Sequence, residues 1–456
     1  MLTVSPSESK ATSFDQNKKT REDPYFRLLE KIKKKQITVG VIGLGYVGLP
    51  LAMVFAEAGV RALGFDVDSS KIKSIHSGKS YFRHLERAPL KKLVEKNAFS
   101  ATTNFERVSE CEAIIICVPT PLTNRLDPDL SYIEKTCINI APHLTPHSLI
   151  CLESTTWPGT TEEVVGPLLK KHSPLKNDAN FYLAFSPERE DPGNEEYTTK
   201  NIPKLVGGSD EKSLQLAKSV YSLAIDDVVA LNGTQVAEAA KLLENIFRSV
   251  NIALVNELKM IFDKMDIDIW EVIRGAATKP FGYMPFWPGP GLGGHCIPID
   301  PFYLSWKAKE FGIRTRFIEL AGEINRKMPK WVLSKIQDCL NEYGKPLKGS
   351  HILLIGLAYK GDIEDMRESP SLELIRLMED KGAKVSYYDP MIPKIPRSRE
   401  YSQLENRTSA PPSEEYDCFV LSTVHQRFSQ EEFLRHGVPI IDTRNFFPKH
   451  KLVFPA

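Results

Sequence analysis

The run Pro288-Gly289-Pro290-Gly291-Leu292-Gly293-Gly294-His295-Cys296-Ile297-Pro298-Ile299-Asp300 sets four glycines before a thiol and a carboxylate four residues after it. Glycine costs conformational entropy unless the backbone needs a positive φ or a close approach, so the run predicts a loop built against a bound molecule. Cys296 is then a candidate nucleophile, although a lone cysteine is more often a small buried hydrophobe. Lys241 and Asn245 form a second feature with chemical potential. They stand four residues apart in a stretch, Thr234 to Met265, that contains no Gly or Pro. Its apolar residues Val236, Ala240, Leu243, Ile246, Phe247, Val250 and Leu254 recur at helical spacing, which predicts one long helix carrying a cation and an amide on one face. By itself such a face is solvated surface.

These residues need elements to hold them. From Ile37 the chain reads strand, glycine turn, helix, strand (ITVGVIGLGYVGLPLAMVFAEAGVRALGFDVD), with Gly43, Gly45 and Gly48 in the turn and Asp66 closing the next strand 23 residues after Gly43. In that context G-x-G-x-x-G is a dinucleotide fingerprint: a tight turn, a close backbone approach to pyrophosphate, and close helix packing. The helix N-terminus offers its N–H groups to the phosphates. Asp66 would take the adenosine ribose hydroxyls and repel a 2′-phosphate, and no Arg follows directly, so NAD is expected rather than NADP. Further strands are expected at Ala113–Val118 and Ser148–Leu152. Ligands bind at the carboxyl ends of such strands, which places Thr120 and Thr155 to touch cofactor or, equally, to cap a following helix. A similar pattern returns at HILLIGLAYKGDIEDMRESPSLELIRLMEDKGAKVSYYDP. Its turn, Gly356-Leu357-Ala358-Tyr359-Lys360, has lost the G-x-G and gained a lysine, which suits another phosphate ligand rather than a second NAD. Residues 392–415 read as a surface loop before strands at Cys418–Ser422 and Pro439–Asp442.

The chain has 456 residues, 42% of them hydrophobic, and a net charge of +1, so it is expected to divide into several domains and has no global field for nucleic acid or an anionic membrane. Its seven cysteines are scattered without C-x-x-C pairs, so neither a metal site nor a disulfide framework is expected, and a reducing cytoplasm fits. No apolar run is long enough to span a bilayer, and the polar first thirty residues lack a signal-peptide pattern. Residues 1–20 read as disordered, and Pro24 to Lys35 as a short helix with a solvated basic end. The expected architecture is α/β, two Rossmann-like doubly wound domains joined by a central long-helix domain. Its boundaries are a polar tail and short helix at 1–36, the NAD domain at 37–229, the central domain with the cysteine loop at 230–345, and a second Rossmann-like domain at 346–456. The long helix has more apolar surface than a monomer needs, so a homodimer or higher homo-oligomer is expected.

Over residues 37–450 the chain resembles the UDP-glucose/GDP-mannose dehydrogenase family. The matching motifs run in order: GLGYVGLP, CVPTPL, ESTTWPGTT, SPER, EAAKLLENIFRSVNIALVNE, GPGLGGHCIPIDP, GLAYKGDIEDMRESP and IDTRN. Within the family, the run from Lys279 to Asn325 and SPEREDPGN are most similar to the branch that oxidises UDP-N-acetylglucosamine for bacterial surface polysaccharides. The resemblance implies a four-electron oxidation of the sugar C6 alcohol to a carboxylate with two NAD+. Cys296 would carry a thiohemiacetal and then a thioester. Lys241 and Asn245 would stabilise developing oxyanions. Asp300 would orient water or pair with Lys241, a helix starting near the cysteine bringing both onto one face. Glu188 would serve as base through a water beside Thr155. For Asp300 and Glu188 the alternative is helix capping or an ion pair.

The resemblance also implies that Gly43, Gly45, Tyr46, Val47, Gly48, Asp66, Thr120 and Thr155 contact the cofactor. Arg367 would reach it too, or form an interface salt bridge. Glu188, Lys241, Asn245, Gly293, Tyr359, Lys360 and Arg444 would contact the UDP-sugar. Two departures limit the comparison. His295 differs from the usual UDP-glucose residue and is assigned no chemistry, fitting an acetamido-pocket or packing role. The segment from Lys279 to Trp287 also differs, so a subunit-crossing arginine cannot be transferred. The alternatives are UDP-N-acetylmannosamine or UDP-glucose as substrate, a two-electron hydroxyacid dehydrogenase, or a non-catalytic nucleotide-binding module. The last two would have no need of Cys296.

Overall fold

The computed structural model describes residues 23–82, 87–123, 127–175, 180–189, 196–294, 296–397 and 401–456. The expected tail at 1–20 and His295 lie outside the described residues. The chain forms two compact units, residues 1–242 and 243–456.

The first unit opens with the helix Pro24–Lys33, ending two residues before the expected Lys35. Asp23 caps it by accepting from Tyr25 N at 2.9 Å, Pro24 supplies a preset φ at its first turn, and Leu28 and Ile32 are buried in the unit's core. Then come β1 (Thr38–Ile42), β2 (Arg61–Phe65), β3 (Phe99–Thr102), β4 (Ala113–Ile116), β5 (Leu149–Leu152), β6 (Tyr182–Phe185), β7 (Lys204–Gly208) and β8 (Val228–Leu231). They lie in one sheet in the order β3-β2-β1-β4-β5-β6-β7-β8. The first six are mutually parallel, β7 is antiparallel to β6, and β8 is parallel to β7. The strand order reverses between β1 and β4. Such a switch point opens a crevice at the carboxyl ends, where the glycine turn and the loop after β4 both lie. β1, β4 and β5 are buried at every position, as parallel strands covered on both faces must be.

Sequence periodicity missed β6, β7 and β8, which are short strands whose Ala184, Val206 and Val228 join the core, and β7 is also tied down by a polar cluster. Glu153, just past β5, accepts from Lys204 Nζ of β7 at 2.9 Å and from the Tyr221 hydroxyl at 2.5 Å, and all three residues are buried. The hydrogen bonds and paired charges offset a desolvation cost that any one of these groups would bear alone.

The long helix forms as expected, at Thr234–Lys264, and the boundary between the units falls within it. In the second unit it is followed by helices Ile269–Ala276, Asp300–Ala308 and Arg316–Glu342. The last runs 27 residues with Pro329 inside it, the residue that hides it from a sequence reading. β9 (His351–Ile355), β10 (Lys384–Tyr388), β11 (Cys418–Leu421), β12 (Ile440–Asp442) and β13 (Val453–Pro455) form a wholly parallel sheet in the order β10-β9-β11-β12-β13. Val332, Ile336 and Leu340 of the proline-containing helix share a core with Ile352, Leu354 and Val420. The expected second doubly wound sheet is therefore present. No helix among the described residues is long and apolar enough to cross a membrane.

Candidate active site

The turn after β1 shows what each fingerprint glycine is for. A Cβ on Gly48 would lie 1.9 Å from the Gly43 carbonyl oxygen, so helix and turn approach too closely for any side chain. A Cβ on Gly45 would meet nothing within 4 Å. Packing therefore demands Gly48, whereas the space above Gly45 is open to a ligand. The helix Gly48–Glu57 begins after Val47 with no side-chain cap, leaving its N-terminus to anionic groups. Tyr46 packs on the Phe82 ring at 4.2 Å, and the Tyr81 hydroxyl donates to Leu44 O at 2.5 Å. Asp66 stands directly after β2 and accepts from Leu44 N at 2.9 Å, which ties the acid to the glycine turn. The open space, the uncapped helix and the acid fit the diphosphate and ribose of NAD, which these residues would hold. Thr120, buried after β4, and half-buried Thr155, after β5, share the same end of the sheet. Neither stands at the N-cap of the helical segment that follows it: those positions fall to Leu130 and Thr160, neither of which makes a side-chain capping bond.

Also in the first unit, Lys241 is buried and donates to Glu188 twice, to its backbone oxygen and to Oε2 at 3.1 Å. The ion-pair reading of Glu188 is thus realised, and it puts a carboxylate and an ammonium in direct contact. The sequence reading missed Glu238, one turn before Lys241. It is fully buried and accepts from Gly159 N at 2.6 Å, Thr161 N at 2.9 Å and Thr161 Oγ1 at 2.6 Å. Burial pushes its pKa up to about 7 against the pull of those donors. Glu238 thereby fastens the loop after β5, which carries Thr155, to the second turn of the long helix. An acid on a buried helix face was the available signal.

In the second unit, Cys296 is half-buried and lies in a turn rather than on a helix. Asp300 N donates to the Cys296 carbonyl at 2.8 Å, and Asp300 is the first residue of the helix that follows. The expected shared helical face is replaced by this single turn. The Asp300 carboxylate is buried and accepts from Asn245 Nδ2 at 2.5 Å, so the amide expected near oxyanions is held by the acid expected near water.

Of the four glycines before the thiol, Gly291 and Gly294 take the positive φ expected of them, at 140° and 88°, and the other two lie against protein atoms. A Cβ on Gly293 would sit 2.5 Å from Tyr359 Cβ, and one on Gly289 would sit 2.4 Å from Arg444 Nη1. The Tyr359 Cβ, fixed close to its backbone, demands a glycine at 293, whereas the contact at 289 is with the movable end of Arg444. Gly293 lets the cysteine loop lie against the turn that carries Tyr359 and Lys360. Gly294 N donates to Arg367 O at 3.0 Å, and Gly289 N donates to Asn256 Oδ1 at 3.0 Å. Asn256 in turn donates to Asn325, which donates to Ser249 O, forming a buried amide chain that roots the loop in two helices. Neither asparagine was singled out from sequence, because a buried amide has no periodic signature.

The remaining expected ligand residues sit on the second sheet's rim. Tyr359 and Lys360 are half-buried on the turn after β9, and Arg444, just past β12, donates from Nε to Ser422 O at 2.7 Å. Arg367 is bidentate on Asp365, with Nη2 2.6 Å from Oδ2, a salt bridge inside its own unit. Asp389, after β10, stands where Asp66 stands in the first sheet, but it is wholly buried. It accepts from Leu357 N at 2.7 Å, Ala358 N at 2.9 Å and His425 Nε2 at 3.2 Å. His425 Nδ1 accepts from Asp362 N at 2.9 Å, which fixes the tautomer that donates to Asp389. Burial pushes the Asp389 pKa up, but His425 and the backbone donors outweigh it and hold it below the usual range. This acid is committed to shaping the Tyr359–Lys360 turn. Among the described residues, no group of three or more His, Cys, Asp or Glu could hold a metal ion.

Comparison with known proteins agrees along the chain. Residues 37–225 match the NAD-binding domain of the UDP-glucose/GDP-mannose dehydrogenase family, 235–327 its central domain and 353–449 its UDP-binding domain. The chain is 34% identical over 395 residues to a UDP-N-acetyl-D-glucosamine 6-dehydrogenase of Pseudomonas aeruginosa, covering 86% of this chain and 92% of that protein. It is equally 34% identical over 424 residues to a UDP-N-acetyl-D-mannosamine dehydrogenase of Pyrococcus horikoshii, covering 91% of this chain and 97% of that protein. A solved structure of a UDP-D-ManNAc dehydrogenase from Pyrococcus horikoshii superposes with a TM-score of 0.82 at 32% identity, covering 92% of this chain and 99% of that one.

Proposed function

Because this chain belongs to the UDP-glucose/GDP-mannose dehydrogenase family, whose members use NAD, we propose that it oxidises C6 of UDP-N-acetylglucosamine from alcohol to carboxylate in two successive steps. The observation that carries the reading is that the second unit holds a half-buried thiol together with the Asn245–Asp300 pair, while the first unit supplies the Lys241–Glu188 pair. A two-electron dehydrogenase needs a base and an oxyanion donor but no thiol. The glucosamine sugar is favoured by the segment from Lys279 to Asn325 and by relatives of that name in Pseudomonas aeruginosa and Salmonella typhi. The mannosamine relatives are as similar, so UDP-N-acetylmannosamine is the second reading.

NAD, when bound, supplies the hydride acceptor for each oxidation. Glu188 takes the C6 hydroxyl proton through a water beside Thr155, and the Lys241 ammonium stabilises the alkoxide. The Cys296 thiolate then adds to the aldehyde carbon: a C–S bond forms, the carbonyl pair moves onto oxygen, and Asn245 and Lys241 stabilise that oxyanion. The second oxidation leaves a thioester. Asp300 orients the water that attacks it, the C–S bond breaks, and the sugar carboxylate departs with the Cys296 thiolate restored and two protons passed to solvent. Tyr359, Lys360 and Arg444 hold the uridine diphosphate, the lysine and arginine meeting its charge.

Counting NADH formed per sugar with limiting UDP-N-acetylglucosamine, UDP-N-acetylmannosamine or UDP-glucose tests the proposal. Two NADH per UDP-N-acetylglucosamine, with the others nearly inert, is expected. One NADH per sugar sinks the thiol route, and preference for UDP-N-acetylmannosamine moves the substrate to the second reading. The product, a nucleotide-activated acidic sugar, suits surface-polysaccharide assembly, and the use of NAD suits the cytoplasm. We also place the chain in a homodimer with its own copy, because Leu243 (67% exposed), Phe247 (47%), Leu254 (49%) and Ile261 (46%) form an apolar seam along the long helix. Light scattering should give twice the mass of one chain, and a single-chain mass would refute the pairing.

A further inference from the structure

Beside the ribose acid stands a cation that no motif announced. Lys71, in the first turn of the helix Ser69–His76, places Nζ 2.8 Å from Asp66 Oδ2 and 6.0 Å from the centre of the Tyr81 ring. The same Asp66 oxygen accepts from Leu44 N at 2.9 Å, and Oδ1 accepts from Asp68 N at 2.9 Å. A carboxylate offers about four lone-pair positions, so these donors leave roughly one for a ribose hydroxyl. Asp68, the other acid at this corner, is turned into the helix start, where its Oδ1 accepts from Ser70 N at 2.8 Å and Ser70 Oγ at 2.6 Å.

We propose that Lys71 is a cofactor-selectivity residue: it is a ready counter-charge for a 2′-phosphorylated dinucleotide, and Asp66 masks it. Exclusion of NADP then depends on one carboxylate. With Asp66 ionised, the pair is neutral as a whole and a 2′-phosphate meets the acid's repulsion. Removing the acid's charge without its shape would release an ammonium at the position where the phosphate arrives. As expected from sequence, no Arg follows Asp66 directly, positions 67 and 68 being Val and Asp; the cation comes from further on, because a helical turn carries residue 71 back to the strand end.

The inference rests on the NAD-binding turn, not on the sugar, so it is tested by binding. Calorimetric titration of the whole chain with NAD+ and with NADP+, without UDP-sugar, gives the ratio of the two dissociation constants. Asp66→Asn should shift that ratio toward NADP+ by about tenfold or more, and Lys71→Met should shift it several-fold toward NAD+. The double variant should lose the NADP+ gain, and added salt should erode the gain in Asp66→Asn, as for an exposed charge contact. An unchanged ratio in either single variant, or a double variant that keeps the gain, overturns the assignment. A wild-type chain that fails to bind NAD+ would overturn the nucleotide site itself and this inference with it.

Discussion

Replacing Cys296 with alanine should lower kcat for the UDP-sugar by about a thousandfold or more and hold the yield to at most one NADH per sugar, the usual scale for removing a nucleophile. Without sulfur, the aldehyde has no covalent hold, so the second oxidation stalls and a carbonyl-trapping reagent should capture the aldehyde. The variant should melt within a few degrees of the wild type, since Cys296 is only half-buried and its loop is held by backbone bonds from Gly289 and Gly294. Two NADH per sugar at near wild-type rate would remove Cys296 from the mechanism. Thiol chemistry singles out the same residue. Burial pushes the thiols of Cys111, Cys137 and Cys151 up to about 12, so a mild alkylating reagent should spare them. Cys117 and Cys296 are the half-buried cysteines, and only modification of Cys296 should track with loss of activity.

Lys241→Met should cost about a hundred- to a thousandfold in kcat, the usual effect of removing one preorganised oxyanion donor. The same change leaves the Glu188 carboxylate, 12% exposed, without the ammonium 3.1 Å away, so stability should fall by about 3 kcal/mol. Adding Glu188→Gln removes the stranded charge. The double variant should therefore recover much of its melting temperature and none of its activity. If activity returned with stability, Lys241 would be a structural partner of Glu188 and not a stabiliser of the reacting oxygen.

The glycine fingerprint, the uninterrupted helix from Thr234 and the apolar strands β1, β4, β5, β9 and β11 were readable because each rests on a local rule: close packing, helical spacing, or burial on both faces. The helix Arg316–Glu342 was not, because Pro329 reads as a break while packing within the second unit sustains the helix around it. The loop glycines were read as making room for a ligand, and two of them make room for Tyr359 and Arg444. Sequence shows that a Cβ is missing but not what would have met it.

The sequence by itself determined the two strand–glycine turn–helix–strand halves, the long helix between them and the residue types able to do chemistry, since these follow from short-range pattern and side-chain identity. Only the tertiary structure decided which polar group meets which: Lys241 with Glu188, Asn245 with Asp300, Lys71 with Asp66, and Asp389 with the backbone of its own turn. A hydrogen bond or ion pair forms between groups that the fold brings within about 3 Å, whatever their distance along the chain. A buried polar group must find such a partner, so the fold, not the residue's own chemistry, settles its role.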